Sequence, residues 1–122
     1  MTRVLIVGRG KVGRALTLAS RRAGLVVSNR GARRPVPSRI GAELVVIATR
    51  DDDVAALAQR LTAAELDCAA VVHCAGALDL DVLAPLRRRG VAVGQLHPLV
   101  SLATKPLLAG AYAVIRGDAT AV

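Results

Sequence analysis

Short apolar runs alternate along this chain with longer segments whose apolar positions recur every three or four residues. The runs near 3–7, 25–28, 44–48, 69–73, 91–95 and 111–115 read as strands, and the amphipathic segments near 11–23, 52–64 and 79–89 read as helices. Strand and helix in turn is the pattern of repeated βα units, whose apolar strands are covered on both faces by helices. It predicts an α/β fold of three layers, a doubly wound and mostly parallel sheet with its strands in the order 3-2-1-4-5-6. Gly24 and Gly90 each follow an arginine-rich helix end, where a C′ glycine and cations that complement the helix dipole belong. Asp51, Asp52 and Asp53 open the second helix, where carboxylates cap free N–H groups. Pro85 lies inside the third helix or breaks it. Residues 29–41, NRGARRPVPSRIG, occupy the place of a second helix in a standard unit and read as a basic loop or one irregular turn. No repeat and no linker divides the chain, so residues 1–122 read as one domain.

Composition narrows this reading. Hydrophobic residues make up 53% of the chain, yet Tyr112 is its one aromatic, so the core must be built from Val, Leu, Ile and Ala. A chain of 122 residues can bury such a core without metals or disulfides. Cys68 and Cys74 form no CxxC pair and read as buried, reduced thiols of a cytoplasmic protein. No apolar stretch approaches the roughly 18 residues that would cross a bilayer, so no membrane partner is expected. A net charge of +8 raises nucleic acid as a partner. The lack of stacking aromatics and of any helix-turn-helix or zinc-finger spacing argues against nucleic acid as the main ligand.

Candidate chemistry begins at VGRGKVGRAL, residues 7–16, where an apolar strand runs into an amphipathic helix through Gly8, Gly10 and Gly13. A GxGxxG in that context reads as a dinucleotide-binding turn, the alternative being a tight turn with a purely structural role. Gly8 permits the tight turn, Gly10 lets the backbone approach a pyrophosphate, and Gly13 lets helix and strand pack closely; Arg9, Lys11 and Val12 complete the phosphate cradle at the helix N-terminus. About twenty residues on, where an acidic residue would bind the ribose hydroxyls of NAD, the chain has Ser28-Asn29-Arg30, followed by Arg33 and Arg34. Guanidinium groups bind a 2′-phosphate that a carboxylate would repel, which points to NADP. Ala48, Thr49 and Arg50, ending the third strand, should border the nicotinamide ribose by position, with Arg50 equally readable as a surface residue. His73 and His97 end the fourth and fifth strands, at the sheet edge where ligands bind. They could bond a substrate or shuttle a proton, or each could be a strand-end histidine bonded to backbone. His73, Cys74 and His97 lack a fourth ligand and a motif spacing, so no metal site is expected.

Taken in order, the glycine turn, SNR, ATRDDDV, VVHCAGALDLDVLAPLRRRG, VAVGQLHPLVS and GAYAVIRGD resemble a particular family. It is the Rossmann-like N-terminal domain of two-domain NADP oxidoreductases, relatives of pyrroline-5-carboxylate reductase, deazaflavin-dependent NADP reductase and prephenate dehydrogenase. The likeness covers nearly all 122 residues, and VHCAGA and GQLHPL are its more specific parts. It implies an NADP-binding domain that serves hydride transfer to or from a small carbonyl, imine or acid. It also implies a following helical domain, which dimerises and encloses the substrate and which is read as absent from residues 1–122. Three positions depart from the family pattern: Arg50 for a proline, Ala75 for a serine, and Val100 for a glutamine. A hydroxyl and an amide are thereby missing from the implied site, which leaves a non-catalytic nucleotide-binding or sensing module as the alternative. The uncovered segment LVSLATKPLLAGA, residues 99–111, then favours a homodimer.

Overall fold

A computed structural model of the chain describes residues 3–75, 77–98 and 112–117. The first unit is β1 (Arg3–Val7), α1 (Lys11–Arg22) and β2 (Val26–Arg30). In α1, Ala15, Leu16 and Ala19 fall on one buried stripe, and Arg21 and Arg22 stand in the last turn beside the free carbonyls. Gly24 then leaves the helix at φ +84°, and Gly90 does the same at φ +83° after the last helix.

The chain continues through β3 (Arg39–Ile40), β4 (Leu44–Ile47), α2 (Asp51–Leu61), β5 (Glu65–Leu66) and β6 (Ala70–His73). A 3-10 turn (Leu80–Leu83), α3 (Ala84–Arg87), β7 (Ala92–Pro98) and β8 (Tyr112–Gly117) complete the described residues. In α2, Val54, Leu57, Ala58 and Leu61 are the buried stripe. The three aspartates fill its first turn while Arg50 takes the N-cap position without a side-chain bond. They therefore act on the helix dipole from inside the helix and do not cap it as the sequence pattern implied. The third helix is shorter than its pattern. Pro85 cannot donate a backbone N–H and sits in the first turn of α3, so the preceding residues close as a 3-10 turn.

Six strands form one sheet in the order β2-β1-β4-β6-β7-β8, parallel throughout except for the β7–β8 pair. Counting only these six strands, the order is 2-1-3-4-5-6, which corrects the expected 3-2-1-4-5-6. Burial explains the difference. Val45, Val46 and Ile47 of β4 are all buried, whereas β2 has no fully buried residue. A strand apolar on both faces belongs inside the sheet, so β4 crosses β1 and leaves β2 at the edge. The crossing segment is mostly irregular, as its composition implies, but Arg39–Ile40 pairs in parallel with Glu65–Leu66 to form a separate two-stranded ladder. Alternate residues of the strands feed two cores. Val4, Ile6, Val46 and Val72 pack against Ala15, Leu16 and Ala19 of α1. Val7, Val45, Ile47, Val71 and Val93 pack against α2, the 3-10 turn and α3 on the other face. This is a three-layer α/β sandwich. No helix among the described residues is long and apolar enough to cross a membrane.

Candidate dinucleotide-binding cleft

The chain reverses its winding between β1 and β4, because β2 is placed to one side of β1 and β4 to the other. Crevices beyond the carboxyl ends of strands at such a reversal are where doubly wound sheets bind ligands. Here that crevice is a cavity of about 890 Å³. The β1–α1 turn lines it with Gly8, Arg9 and Gly10, and the β4–α2 connection with Ala48, Thr49 and Arg50. The loop after β2 adds Ala32 and Arg33, and α2 adds Asp52, Asp53, Ala56, Leu57 and Arg60.

Each glycine of the turn has a separate local reason. Gly8 adopts φ +129°, and a Cβ there would overlap the Ala48 carbonyl and lie 2.7 Å from its carbon. A Cβ on Gly13 would overlap the Gly8 carbonyl, so the first turn of α1 can sit against the end of β1 only without a side chain. At Gly10 nothing among the described residues lies within 4 Å of a Cβ, and the space opens into the cleft. The Gly8 N–H donates to the Arg30 carbonyl at 2.8 Å and the Ala48 N–H to Val7 at 2.8 Å, which ties the turn to both neighbouring strands.

Asn29 locks this turn from β2. Its amide nitrogen donates to the Gly8 carbonyl at 2.9 Å and to Thr17 Oγ1 at 3.0 Å, and its Oδ1 accepts from Arg9 Nε at 3.0 Å. Thr17 Oγ1 donates onward to the Gly13 carbonyl at 2.7 Å. Asn29 thus holds the backbone of the glycine turn, a role its place in SNR did not reveal.

Of the other residues singled out in the sequence, Arg33 lines the cleft, while Arg30 and Arg34 lie outside its lining. Arg30 Nε donates to the Pro35 carbonyl at 2.8 Å, which folds the loop back on β2. Lys11 is exposed and Val12 half-buried on α1, and Ser28 is exposed on β2. His73 is fully buried at the end of β6, where its Nδ1 accepts the Ala75 N–H at 3.0 Å. Among the described residues its Nε2 has no hydrogen-bond partner. Desolvation holds the imidazole below its usual pKa, against the raising influence of the Asp79 backbone and the charges of Asp51 and Asp79. The backbone of His97 belongs to β7, and its side chain, like residues 99–111, lies outside the described residues.

Sequence reasoning missed Asp52, Asp53 and Arg60 as cleft residues, because helix-end electrostatics explained the acidic run and nothing local marked Arg60. Arg60 Nη2 donates to the Ala32 carbonyl at 2.8 Å and pins the loop that carries Arg33. Gln95, opposite His73 in the ladder, was missed as well; its Nε2 donates to the Ala75 carbonyl at 3.0 Å.

The family of Rossmann-like domains matches residues 31–98, a span that begins after the glycine turn. Among solved structures, the chain is similar to a protein of Bacteroides fragilis assigned as an NADP oxidoreductase, with 20% identity and a TM-score of 0.62 over 82% of this chain and 44% of that one. It is also similar to prephenate dehydrogenase from A. aeolicus, solved with hydroxyphenyl propionate and NAD+, with 19% identity and a TM-score of 0.63 over 81% of this chain and 42% of that one. The chain therefore spans less than half the length of either, and the likeness is one of fold. No curated protein matches it by sequence. With a matched span of more than half its length and a winding reversal that opens on a glycine turn, the chain belongs to the family of Rossmann-like domains.

Proposed function

We propose that this chain is the NADP(H)-binding domain of an oxidoreductase that transfers hydride to or from a small carbonyl, imine or acid substrate. The observation that carries the proposal is the cleft between β1 and β4, where an open backbone at Gly10 faces a cavity rimmed by Arg9, Arg33, Arg50 and Arg60. The residues fit a dinucleotide. The backbone of Gly8–Gly10 and of Lys11–Gly13 would hold its pyrophosphate, where free N–H groups and the positive end of the helix dipole favour an anion. Arg33, on the loop after β2, would take the 2′-phosphate, and Thr49 and Arg50 would border the nicotinamide ribose. A bound nicotinamide supplies the hydride; the chain supplies position and charge.

Four guanidinium groups against two carboxylates around the cavity favour NADP over NAD. Calorimetric titration should give tighter binding of NADP than of NAD. Arg33→Ala should narrow that preference roughly ten- to a hundredfold, for the loss of one charged hydrogen bond of about 1.5–3 kcal/mol. Gly10→Val should abolish binding and leave the melting temperature nearly unchanged, since its side chain enters the cleft rather than the core. Equal affinities for the two cofactors in the unmutated chain would reject the NADP assignment. The second reading, NAD(H), draws on Asp52 and Asp53, whose carboxylates line the same cavity and can accept ribose hydroxyls. Under that reading NAD binds more tightly, and Asp52→Asn or Asp53→Asn weakens it.

A further inference from the structure

We infer that the open edge of β2, with the adjoining face of α1, docks an extended segment of a partner protein in which acidic and apolar residues alternate. Among the described residues β2 ends the sheet, with β1 on its inner side alone. The Arg30 carbonyl accepts from Gly8 on that inner side. In a parallel ladder successive residues turn their N–H and C=O to opposite sides, so Val27 and Asn29 present theirs outward. These are the groups to which an added strand bonds.

Beside this edge, on the α1 face, lies a hollow of about 390 Å³ lined by Arg9, Arg14, Thr17, Leu18, Arg21 and Asn29, with no carboxylate among them. Arg14, Leu18 and Arg21 are exposed and fall four and three residues apart, on one stripe of the helix. α1 contains no acidic residue, and the Arg39–Asp67 ion pair is elsewhere. Val27 packs with the α1 core, so strand alternation sends the side chain of Val26 to the opposite face. Val26 and Leu18 are the exposed large hydrophobics of the described chain, at 43% and 37%. A strand added to β2 alternates in the same way. Its side chains on the α1 face would meet the arginine row, and those on the other face would lie beside Val26.

Charge selects the occupant. A second copy of this chain would bring a +8 molecule against a basic edge. Residues 99–111 and 118–122 of the chain itself hold one acidic residue, Asp118, and cannot supply the acidic row. A nucleic acid would leave the outward ladder groups unused and would find no aromatic ring on which to stack.

The test uses the full chain and a fluorescein-labelled eight-residue peptide of alternating glutamate and valine, followed by anisotropy. Saturable binding is expected that weakens with salt and drops at least tenfold in the Arg14→Ala/Arg21→Ala double variant. The variant's affinity for NADP should be unchanged, since neither arginine lines the larger cleft. A peptide with N-methylated alternate amides should also bind at least tenfold more weakly to the unmodified chain, and this arm decides alone should the double variant unfold. The inference is overturned if the acidic peptide does not saturate or if the methylated peptide binds equally well. It is also overturned if NADP displaces the peptide, or if a single-stranded oligonucleotide of equal charge displaces it at a lower concentration than unlabelled peptide does.

Discussion

His73 and Gln95 hold the two backbone polar groups of one residue, Ala75: the imidazole accepts its N–H and the amide donates to its carbonyl, each at 3.0 Å. The two sequence readings of His73, ligand-facing or bonded to backbone, could not be separated by spacing alone, because both place a histidine at a strand end. Its full burial and its bond to Ala75 describe a residue that shapes the loop after β6. This has a pH signature. Desolvation lowers the folded-state pKa below the unfolded value of about 6.5, so below that pH the unfolded chain binds the extra proton. The stability contribution is whole above about pH 6.5 and is lost as pH falls. The urea midpoint should therefore drop between pH 7.5 and pH 5.5, and less so in His73→Asn. His73→Leu should cost about 1–3 kcal/mol at pH 7.5, for leaving the buried Ala75 N–H unpaired. Identical pH profiles for the histidine and asparagine proteins would show that the ring does not control the effect. Cys68 and Cys74 are half-buried rather than buried as expected, and desolvation pushes the Cys74 thiol up to about 12, far from the reactive thiolate range.

At the scale of elements, the stripes of α1 and α2 and the six strands of the main sheet were legible, because the burial period of helix and strand is written directly in the residue order. The order of strands was not. The periodicity of β4 is compatible with either side of β1, and only the shortage of buried residues in β2 ranks the two strands as edge and interior. Arg60 reaches from the last turn of α2 to the Ala32 carbonyl and holds the loop bearing Arg33 over the cleft. Arg60→Ala should free that loop and weaken NADP binding roughly three- to tenfold, as one net hydrogen bond of about 0.5–1.5 kcal/mol implies. Arg60→Lys should recover part of the loss. Titration of both variants tests this, and an unchanged affinity in Arg60→Ala would mean that the loop keeps its place without the clamp.

For the whole molecule, we expect binding without efficient turnover, and self-association. The cleft is walled by the ends of β1 and β4 and by α2, and the chain covers 44% and 42% of the two solved structures it is similar to. Exclusion of water from a hydride path needs cover over the carboxyl edge of the sheet, which β1, β4 and α2 do not supply by themselves. NADPH oxidation against a panel of small carbonyl and imine substrates should remain near background. Sedimentation should give a dimer if residues 99–111 pack as their apolar sequence implies. Rapid oxidation with a defined substrate would mean that the chain or its dimer completes a site, and a monomer at high concentration would remove the association.

The residue order alone determined the layers, the glycine turn and the basic character of the loop after β2. Each of these rests on contacts or periods within about thirty residues of chain. Tertiary structure alone decided which arginines face the cleft. Arg30 turns to Pro35, Arg33 enters the lining, and Arg60 arrives from a helix thirty residues further on. The same holds for Asn29, whose amide meets Gly8 and Thr17 only because β2 lies against β1 and α1. Side chains of one type and charge are interchangeable in sequence. The path of the backbone distinguishes them, and that path is set by which strand can be buried on both faces.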